Sequence, residues 1–159
     1  MKKASRPLSE SSVFPGNLLR RCHQISVAIF QREGREAGLT QLQYIVLCAL
    51  EEKGTLDQST LVGLTALDRN TIAVVVRKLE TKHWVARERN PEDRRSVLVT
   101  ITEDGLAVRQ QAEAAALATQ EALTAPLDDE ERETLSRLLG KIANENNALS
   151  RVPLKTEAD

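Results

Sequence analysis

The spacing of apolar and polar positions predicts a mainly helical chain. A first helix is expected with Asn17 as its N-cap, running to about Glu36 and stopping at Gly38. Thr40 and Gln43 stand three residues apart, which is the signature of a capping box at the start of a second helix. The apolar stripe of the first helix comprises Leu18, Cys22, Ile25 and Ile29.

Four further helices are predicted from cap residues and apolar periodicity. Asp57 and Asp68 are expected to cap short third and fourth helices, and Thr102 a long fifth helix. Pro126 ends this fifth helix, and Asp128 caps a sixth. Apolar residues that recur every three or four positions follow each cap, so each helix should bury one face.

Between the fourth and fifth helices the period changes to that of a β-strand. Val97, Val99 and Ile101 alternate with more exposed positions, and residues 90–93 supply turn residues between two strands. The predicted fold class is mainly α with a small β-hairpin wing. Its order is four helices, two strands and two helices, which is that of a winged helix-turn-helix.

The length of 159 residues fits one domain. The terminal helices are too apolar on one side to be exposed, so an obligate dimer is expected, and two-fold symmetry is the commonest form. The prediction is a single domain of residues 1–159, with a DNA-binding lobe at 40–105, dimerisation helices at 14–38 and 106–149, and flexible tails at 1–12 and 151–159.

Charge is distributed unevenly along the chain. The formal net charge is only −1, which excludes a uniformly basic nucleic-acid binder. Residues 69–95, however, contain eight basic and four acidic side chains, whereas residues 103–159 contain twelve acidic and six basic ones. Because the basic stretch coincides with the predicted helix pair and wing, contact with double-stranded DNA is favoured over an unevenly charged solvated surface.

Other functional classes find little support in the sequence. The two histidines and two cysteines lack metal-ligand spacing, and no nucleophile–base set or phosphate-binding loop is present, so no enzyme activity, metal or cofactor is expected. No signal peptide and no long apolar run is present, so the expected location is cytoplasmic, without a membrane partner. Cys22 and Cys48 are then expected to be reduced and buried.

The wing carries a distinctive motif, in which residues 93–96 read Asp-Arg-Arg-Ser and alternating apolar residues and Gly105 follow. With residues 42–47 and 70–85, this motif resembles the MarR family of bacterial transcription regulators. The resemblance extends over roughly residues 18–149. It implies a homodimeric winged helix-turn-helix regulator of a palindromic operator, most often a repressor.

On this interpretation the fourth helix, residues 68–82, enters the major groove, and its partner enters the next groove about 34–36 Å away. Asn70 and Thr71 lie near its N-terminus, where base edges are contacted. By the resemblance, Arg95 would reach the minor groove with its guanidinium oriented by Asp93. The predicted DNA-contact residues are Ser59, Arg69, Asn70, Thr71, Arg77, Lys78, Arg87, Arg89, Asp93, Arg94 and Arg95.

The resemblance also implies a small effector, bound between the dimerisation helices and the DNA-binding lobe. Arginine can clamp a carboxylate with two hydrogen bonds, so an aromatic carboxylate or a related acyl thioester is expected to release the DNA. The alternative is that the arginines of the first helix pair with acidic side chains and that its histidine is structural. The candidate ligand residues are Arg20, Arg21, His23, Gln24 and Tyr44.

Two other functions stay open at this point. Cys22 lies near the region where some relatives carry an oxidant-sensing cysteine, which gives a redox-sensing regulator as one alternative. The second is a winged-helix module that contacts only proteins, since folds are reused for unrelated functions. The basic wing argues against the second.

Trp84, just after the fourth helix, is expected to anchor the core.

Overall fold

The computed structural model describes residues 11–93 and 95–155. The predicted DNA contact Arg94 and the outer parts of both predicted tails lie outside the described residues. The elements are α1 (Pro15–Glu33), α2 (Gln41–Lys53), β1 (Leu56–Asp57), α3 (Gln58–Thr65), α4 (Arg69–Thr81), β2 (Val85–Arg89), β3 (Val97–Ile101), α5 (Glu103–Gln111), α6 (Glu113–Thr124), α7 (Asp129–Glu145) and a 3-10 turn (Asn147–Leu149).

The predicted order of helices and wing is confirmed, with one additional strand and with the fifth helix divided into two. β2 and β3 form the antiparallel hairpin, in which Val85 lies opposite Ile101. β1 joins the other edge of β3, with Leu56 opposite Val99, so the sheet has the order β1-β3-β2. A strand of two residues leaves no alternation to detect, which is why the sequence pattern does not indicate it.

The predicted caps position most helix starts. The Thr40 hydroxyl accepts a 3.3 Å hydrogen bond from the Gln43 backbone, and the Gln43 side chain accepts a 3.0 Å bond from the Thr40 backbone. Asp57, Thr102 and Asp128 likewise accept from backbone N–H groups in the first turns of α3, α5 and α7. These bonds satisfy donors that lack partners within the helix.

The prediction for the ends of the first helix is wrong at both termini. Phe14, not Asn17, is the N-cap, because Pro15 occupies the first helical position, where its missing N–H is not needed. The helix ends at Glu33. A series of turns then leads to Gly38, whose φ of 65° is readily adopted by glycine.

The predicted long fifth helix is two helices. α5 and α6 meet at Ala112, whose ψ of −8° departs from the helical value. Hydrogen bonds from the Ala112 N–H to the carbonyl of Val108 and from the Ala116 N–H to the carbonyl of Ala112, both 3.0 Å, still pass through the junction. No proline or glycine stands there, so local residue type does not indicate the interruption.

The main core lies inside the predicted lobe. Its fully buried side chains come from α2, α3, α4 and β3 and from Ala112 between α5 and α6, and Trp84 packs against it as predicted. α1 is attached to α6 rather than to this core, with Phe30 and Ala115 buried between them. The fully buried members of the core include Leu47, Leu50, Leu61, Ile72, Leu79 and Val99.

An apolar face on α1 and α7 is left uncovered by the protomer. Leu18 and Ile25 on α1 are 42% and 48% exposed, and Leu138 and Ile142 on α7 are 45% and 48% exposed. Single exposed apolar residues are ordinary, but two helices that expose their apolar faces point to a partner surface. This agrees with the dimer expected from the sequence.

The expectation that both cysteines are buried is wrong for this protomer. Cys22 is exposed on the uncovered face of α1, and Cys48 on α2 is half-buried. Residues 18–25 of α1 are all exposed and burial begins only at Ser26, one turn beyond Cys22, so Cys22 lies in the half of the helix that the protomer does not cover. Within the described residues, no helix is both long and apolar enough to cross a membrane.

Candidate nucleic-acid interface

The N-terminus of α4 is ordered by Asp68. Its carboxylate accepts 3.0 Å hydrogen bonds from the backbone N–H groups of Asn70 and Thr71, and a 2.6 Å bond from the Thr71 hydroxyl. The Thr71 hydroxyl contributes most to holding the pKa of Asp68 below its usual value, and the backbone bonds add to this effect. The carboxylate is therefore ionised at neutral pH, where it fixes the first turn of the helix.

The outer face of α4 presents the residues predicted to contact DNA. The helix buries Ile72, Val75, Val76 and Leu79, which leaves the opposite face in solvent. Arg69, Asn70, Arg77 and Lys78 are exposed there, Thr71 is half-buried, and the apolar Val74 is 48% exposed.

The Arg69 guanidinium donates a 3.1 Å hydrogen bond to the Ser59 hydroxyl on α3. This bond links the N-termini of the two helices, where residues of both helices that are predicted to contact DNA lie side by side.

The wing tip is shaped by Asp93, though not in the way expected. Its carboxylate accepts a 2.9 Å hydrogen bond from the backbone N–H of Arg95, and its carbonyl accepts one of 2.9 Å from the Ser96 backbone. The expectation was a contact with the Arg95 guanidinium. The observed turn is one that aspartate forms with the backbone two residues on, so Asp93 sets the loop that carries Arg95.

The wing, α3 and α4 meet at a cleft of about 330 Å³. Ser59, Arg69, Asp93 and Arg95 all line it, so residues predicted separately on three elements are brought together. Arg89 is exposed farther along β2. Arg87, also predicted to contact a phosphate, forms an ion pair with Glu80 of α4, with 2.7 Å between Nη2 and Oε2, and this pair braces the wing against the helix.

The base of the wing is tied to α5. The Thr102 hydroxyl donates a 2.7 Å hydrogen bond to the carbonyl of His83 and accepts a 3.0 Å bond from the Gly105 N–H. A Cβ on Gly105 would overlap the carbonyl of Trp84, so only glycine fits there. His83 itself has a φ of 59°, which marks a tight turn after α4.

A groove of about 520 Å³ lies between α1, the start of α2 and α4. Only His23 among the five candidate ligand residues lines it, and His23 is exposed rather than directed into the core. The sequence did not indicate the remaining lining because residues distant along the chain meet there only after folding. Its other residues are Val27, Gln31, Thr40, Gln41, Leu42, Gln43, Asn70, Thr71, Val74, Val75 and Lys78.

The other candidate ligand residues lie elsewhere. Arg20 donates a 3.2 Å hydrogen bond to Gln24 on the exposed surface of α1, and Arg21 is also exposed. Tyr44 packs its ring at 5.7 Å from that of Phe30 and donates a 3.1 Å hydrogen bond to Glu113. Tyr44 is thus engaged with α6, not with the groove.

Around Tyr44, a small polar cluster joins the lobe to the long helices. Arg109 on α5 forms ion pairs with Glu51 on α2 and with Glu113 on α6. Desolvation by burial, reinforced by the neighbouring Cys48 and Glu113, raises the pKa of Tyr44 above its usual value. Tyr44 therefore stays protonated and acts as a hydrogen-bond donor to Glu113.

The half-buried Cys48 lies in the same cluster. Burial raises the pKa of its thiol above the usual value, although the Tyr44 hydroxyl and the charge of Arg109 oppose this effect. A raised pKa leaves little thiolate at neutral pH, and the thiolate is the species that reacts with oxidants.

An exposed helix preceded by a capped partner helix and flanked by a β-ribbon defines the protein as a winged helix-turn-helix protein. The sequence pattern of the MarR family matches residues 39–97. The transcriptional repressor NicR of Pseudomonas putida is 40% identical over 93 residues, a match that spans 58% of this chain and 59% of NicR.

Solved structures are similar over nearly the whole molecule. BpsR of Bordetella bronchiseptica, whose DNA binding is regulated by 6-hydroxynicotinic acid, has a TM-score of 0.78 and 34% identity, covering 88% of this chain and 98% of BpsR. A MarR variant from E. coli bound to operator DNA has a TM-score of 0.77 and 26% identity, covering 86% of this chain and 99% of that protein. The chain belongs to the MarR family of winged-helix regulators.

Proposed function

We propose that the protein is a homodimeric repressor that binds a palindromic operator and is released from it by a small aromatic carboxylate or a related thioester. One observation carries this proposal. The groove beside α1 is lined by Asn70, Thr71, Val74 and Lys78, which also lie on the predicted DNA-contacting side of α4. A molecule in this groove would touch the helix that reads DNA.

The arrangement of exposed charge supports DNA binding. Arg69, Arg77 and Lys78 are exposed on α4, and Arg69 shares the cleft beside the wing with Arg95. Basic side chains in this arrangement can neutralise phosphates, and the exposed Asn70 amide can hydrogen-bond to a base edge. The partner protomer repeats these contacts one helical turn along the DNA.

The chemistry of the groove supports an aromatic acid as the effector. Val27, Val74 and Val75 offer apolar surface to a flat ring. Lys78 and His23 can bind a carboxylate, and nearby amide side chains can bind a ring hydroxyl. Because BpsR responds to 6-hydroxynicotinic acid, that compound is the first to test here.

Release requires that the effector bind the free protein more tightly than the DNA-bound form. Contact of the effector with Lys78 and Asn70 provides this difference in affinity, because these side chains cannot bind the effector and DNA equally well in one conformation. A hundredfold difference corresponds to about 2.7 kcal/mol of coupling, within the range usual for allosteric proteins.

The proposal is tested on the purified protein with a fluorescent duplex obtained by selection from random sequence. We expect anisotropy to report tight, salt-dependent binding and addition of 6-hydroxynicotinic acid to reverse it, whereas 2-hydroxypyridine, which lacks the carboxylate, leaves the complex intact. Failure to select any duplex would refute the DNA-binding part and favour a protein-contact module.

A pair of variants on α1 locates the effector. Val27→Trp fills the groove and should abolish ligand-induced release while DNA binding persists. Arg20→Ala is the matched control, because Arg20 is exposed on the same helix but does not line the groove. Equal release from both variants would place the effector elsewhere.

A further inference from the structure

Residues 151–155 lie against the DNA-binding lobe, although the sequence predicts a flexible tail there. The backbone N–H of Lys155 donates a 2.9 Å hydrogen bond to the carbonyl of Gly63 in α3. The Lys155 side chain covers this glycine so closely that an added Cβ would lie 2.8 Å from its Cδ. The segment therefore packs on α3 where a glycine makes room for it.

A side-chain clasp holds the segment in this position. The Asn147 amide donates a 2.8 Å hydrogen bond to the carbonyl of Leu154 and accepts one of 2.8 Å from the Leu154 N–H. The Ser150 hydroxyl closes a smaller loop with Val152, accepting a 3.1 Å bond from its N–H. Such bonds offset part of the conformational entropy lost on ordering these residues.

The clasp places Arg151 beside the start of α4. Arg151 is exposed and lines a cleft of about 440 Å³ together with Ser59, Asp68 and Arg69. The pKa of Asp68, lowered mainly by the Thr71 hydroxyl, is lowered further by the positive charge of Arg151. Arg151 thus lies close to the residues predicted to meet DNA at the N-termini of α3 and α4.

We propose that residues 151–155 form a third DNA-contacting element, in which Arg151 binds a backbone phosphate beside the groove that α4 enters. This inference rests on the proposed DNA-binding function. A guanidinium can hold a phosphate through two hydrogen bonds. Because phosphates carry no base identity, Arg151 contributes affinity and registration, not sequence preference.

Arg151→Gln tests the phosphate contact in the full-length dimer. Losing one contact per protomer should flatten the slope of log Kd against log salt by roughly 1.8 and weaken binding by about tenfold at moderate salt. The loss should be equal for selected and random duplexes. Arg151→Lys keeps the charge and should retain most of the slope.

Arg35→Ala is the matched control. This variant also removes one exposed positive charge. Arg35 follows Gly34, which lies beside Ala115 of α6, so Arg35 is on the side of the predicted dimerisation helices. Its salt slope should equal that of wild type. An Arg151→Gln protein with wild-type affinity and salt slope would overturn the proposal, and would leave the segment as a structural strap on α3.

Releasing the clasp gives an independent test. Asn147→Ala should weaken DNA binding as Arg151→Gln does, and the double variant should be no weaker than either single one, since both act through one contact. Additive losses would overturn the proposal. Absence of DNA binding by wild type would instead refute the proposed function itself, so the two failures are distinguishable.

Discussion

The Thr102 hydroxyl donates a 2.7 Å hydrogen bond to the carbonyl of His83, which ties the first residue before α5 to the turn after α4. The same hydroxyl accepts from the N–H of Gly105, and the carbonyl of Trp84 fills the space where a Gly105 side chain would stand. The end of α4, the wing and α5 therefore meet at one tightly packed junction.

Substitution of Gly105 by alanine should disrupt this junction. The new Cβ overlaps backbone, which side-chain movement cannot relieve, so the free energy of unfolding should fall by about 1–3 kcal/mol or more. Urea denaturation measures the change. Gly16→Ala is the matched control, because nothing lies within 4 Å of its added Cβ. Equal stability of the two variants would contradict the packing argument.

Arg95→Ala should weaken DNA binding without unfolding the wing. The Asp93 turn uses the backbone N–H of Arg95, which alanine retains, and the Arg95 side chain is exposed. Loss of a groove contact costs about 1–3 kcal/mol per protomer. Anisotropy measures the affinity, and circular dichroism checks the fold. Wild-type affinity at physiological salt would remove Arg95 from the interface.

Thermal stability should depend on the ionisation of Asp68. Its pKa lies below the usual value of 3.8, first because of the Thr71 hydroxyl, so the carboxylate stabilises the fold above pH 3.8. That stabilisation is lost as pH falls through the lower pKa of the folded protein.

Asp68→Asn is the matched variant, because asparagine can cap a helix but does not titrate. The wild-type Tm should exceed that of the variant at neutral pH, and the difference should close below pH 3.8. A difference that persists through the acid range would show that charge at this position has no part in stability.

Ile142→Asp should convert the dimer to monomers. Ile142 is 48% exposed on the apolar face of α7, and a charge cannot be buried there against another apolar helix without a large cost. Light scattering measures the mass, and DNA affinity should fall with it. Lys141→Ala, an exposed neighbour on the same helix, serves as the control. A dimeric Ile142→Asp protein would place the interface elsewhere.

Local chemistry explains which features the sequence could predict. The Thr40–Gln43 capping box and the caps at Asp57 and Thr102 depend on residues within one helical turn, so residue type alone indicates them. Asn17 is not the N-cap because Pro15, two residues earlier, is the stronger signal for the start of a helix. The residue type at Ala112 gives no sign that the helix is interrupted there, since alanine favours an uninterrupted helix.

The candidate site also has one part that the sequence predicts and one part that it does not. The basic face of α4 and the wing follow from periodicity and charge. The groove that includes His23 and Lys78 forms only when α1, attached to α6, lies across from α4. The docking of Lys155 on Gly63 likewise depends on tertiary structure. Tyr44 and His23 lie on different helices, and sequence spacing says nothing about the distance between residues on different helices. The sequence therefore could not show that these two residues line separate sites.

Glu113 has a mechanical role that follows from its position. It accepts from Tyr44 of the lobe and pairs with Arg109 on the far side of Ala112, so three helices are held at one carboxylate. These contacts cross the junction at Ala112, so they fix the angle between the lobe and α6. In the proposed dimer that angle sets the distance between the two α4 helices, which must match the pitch of B-DNA.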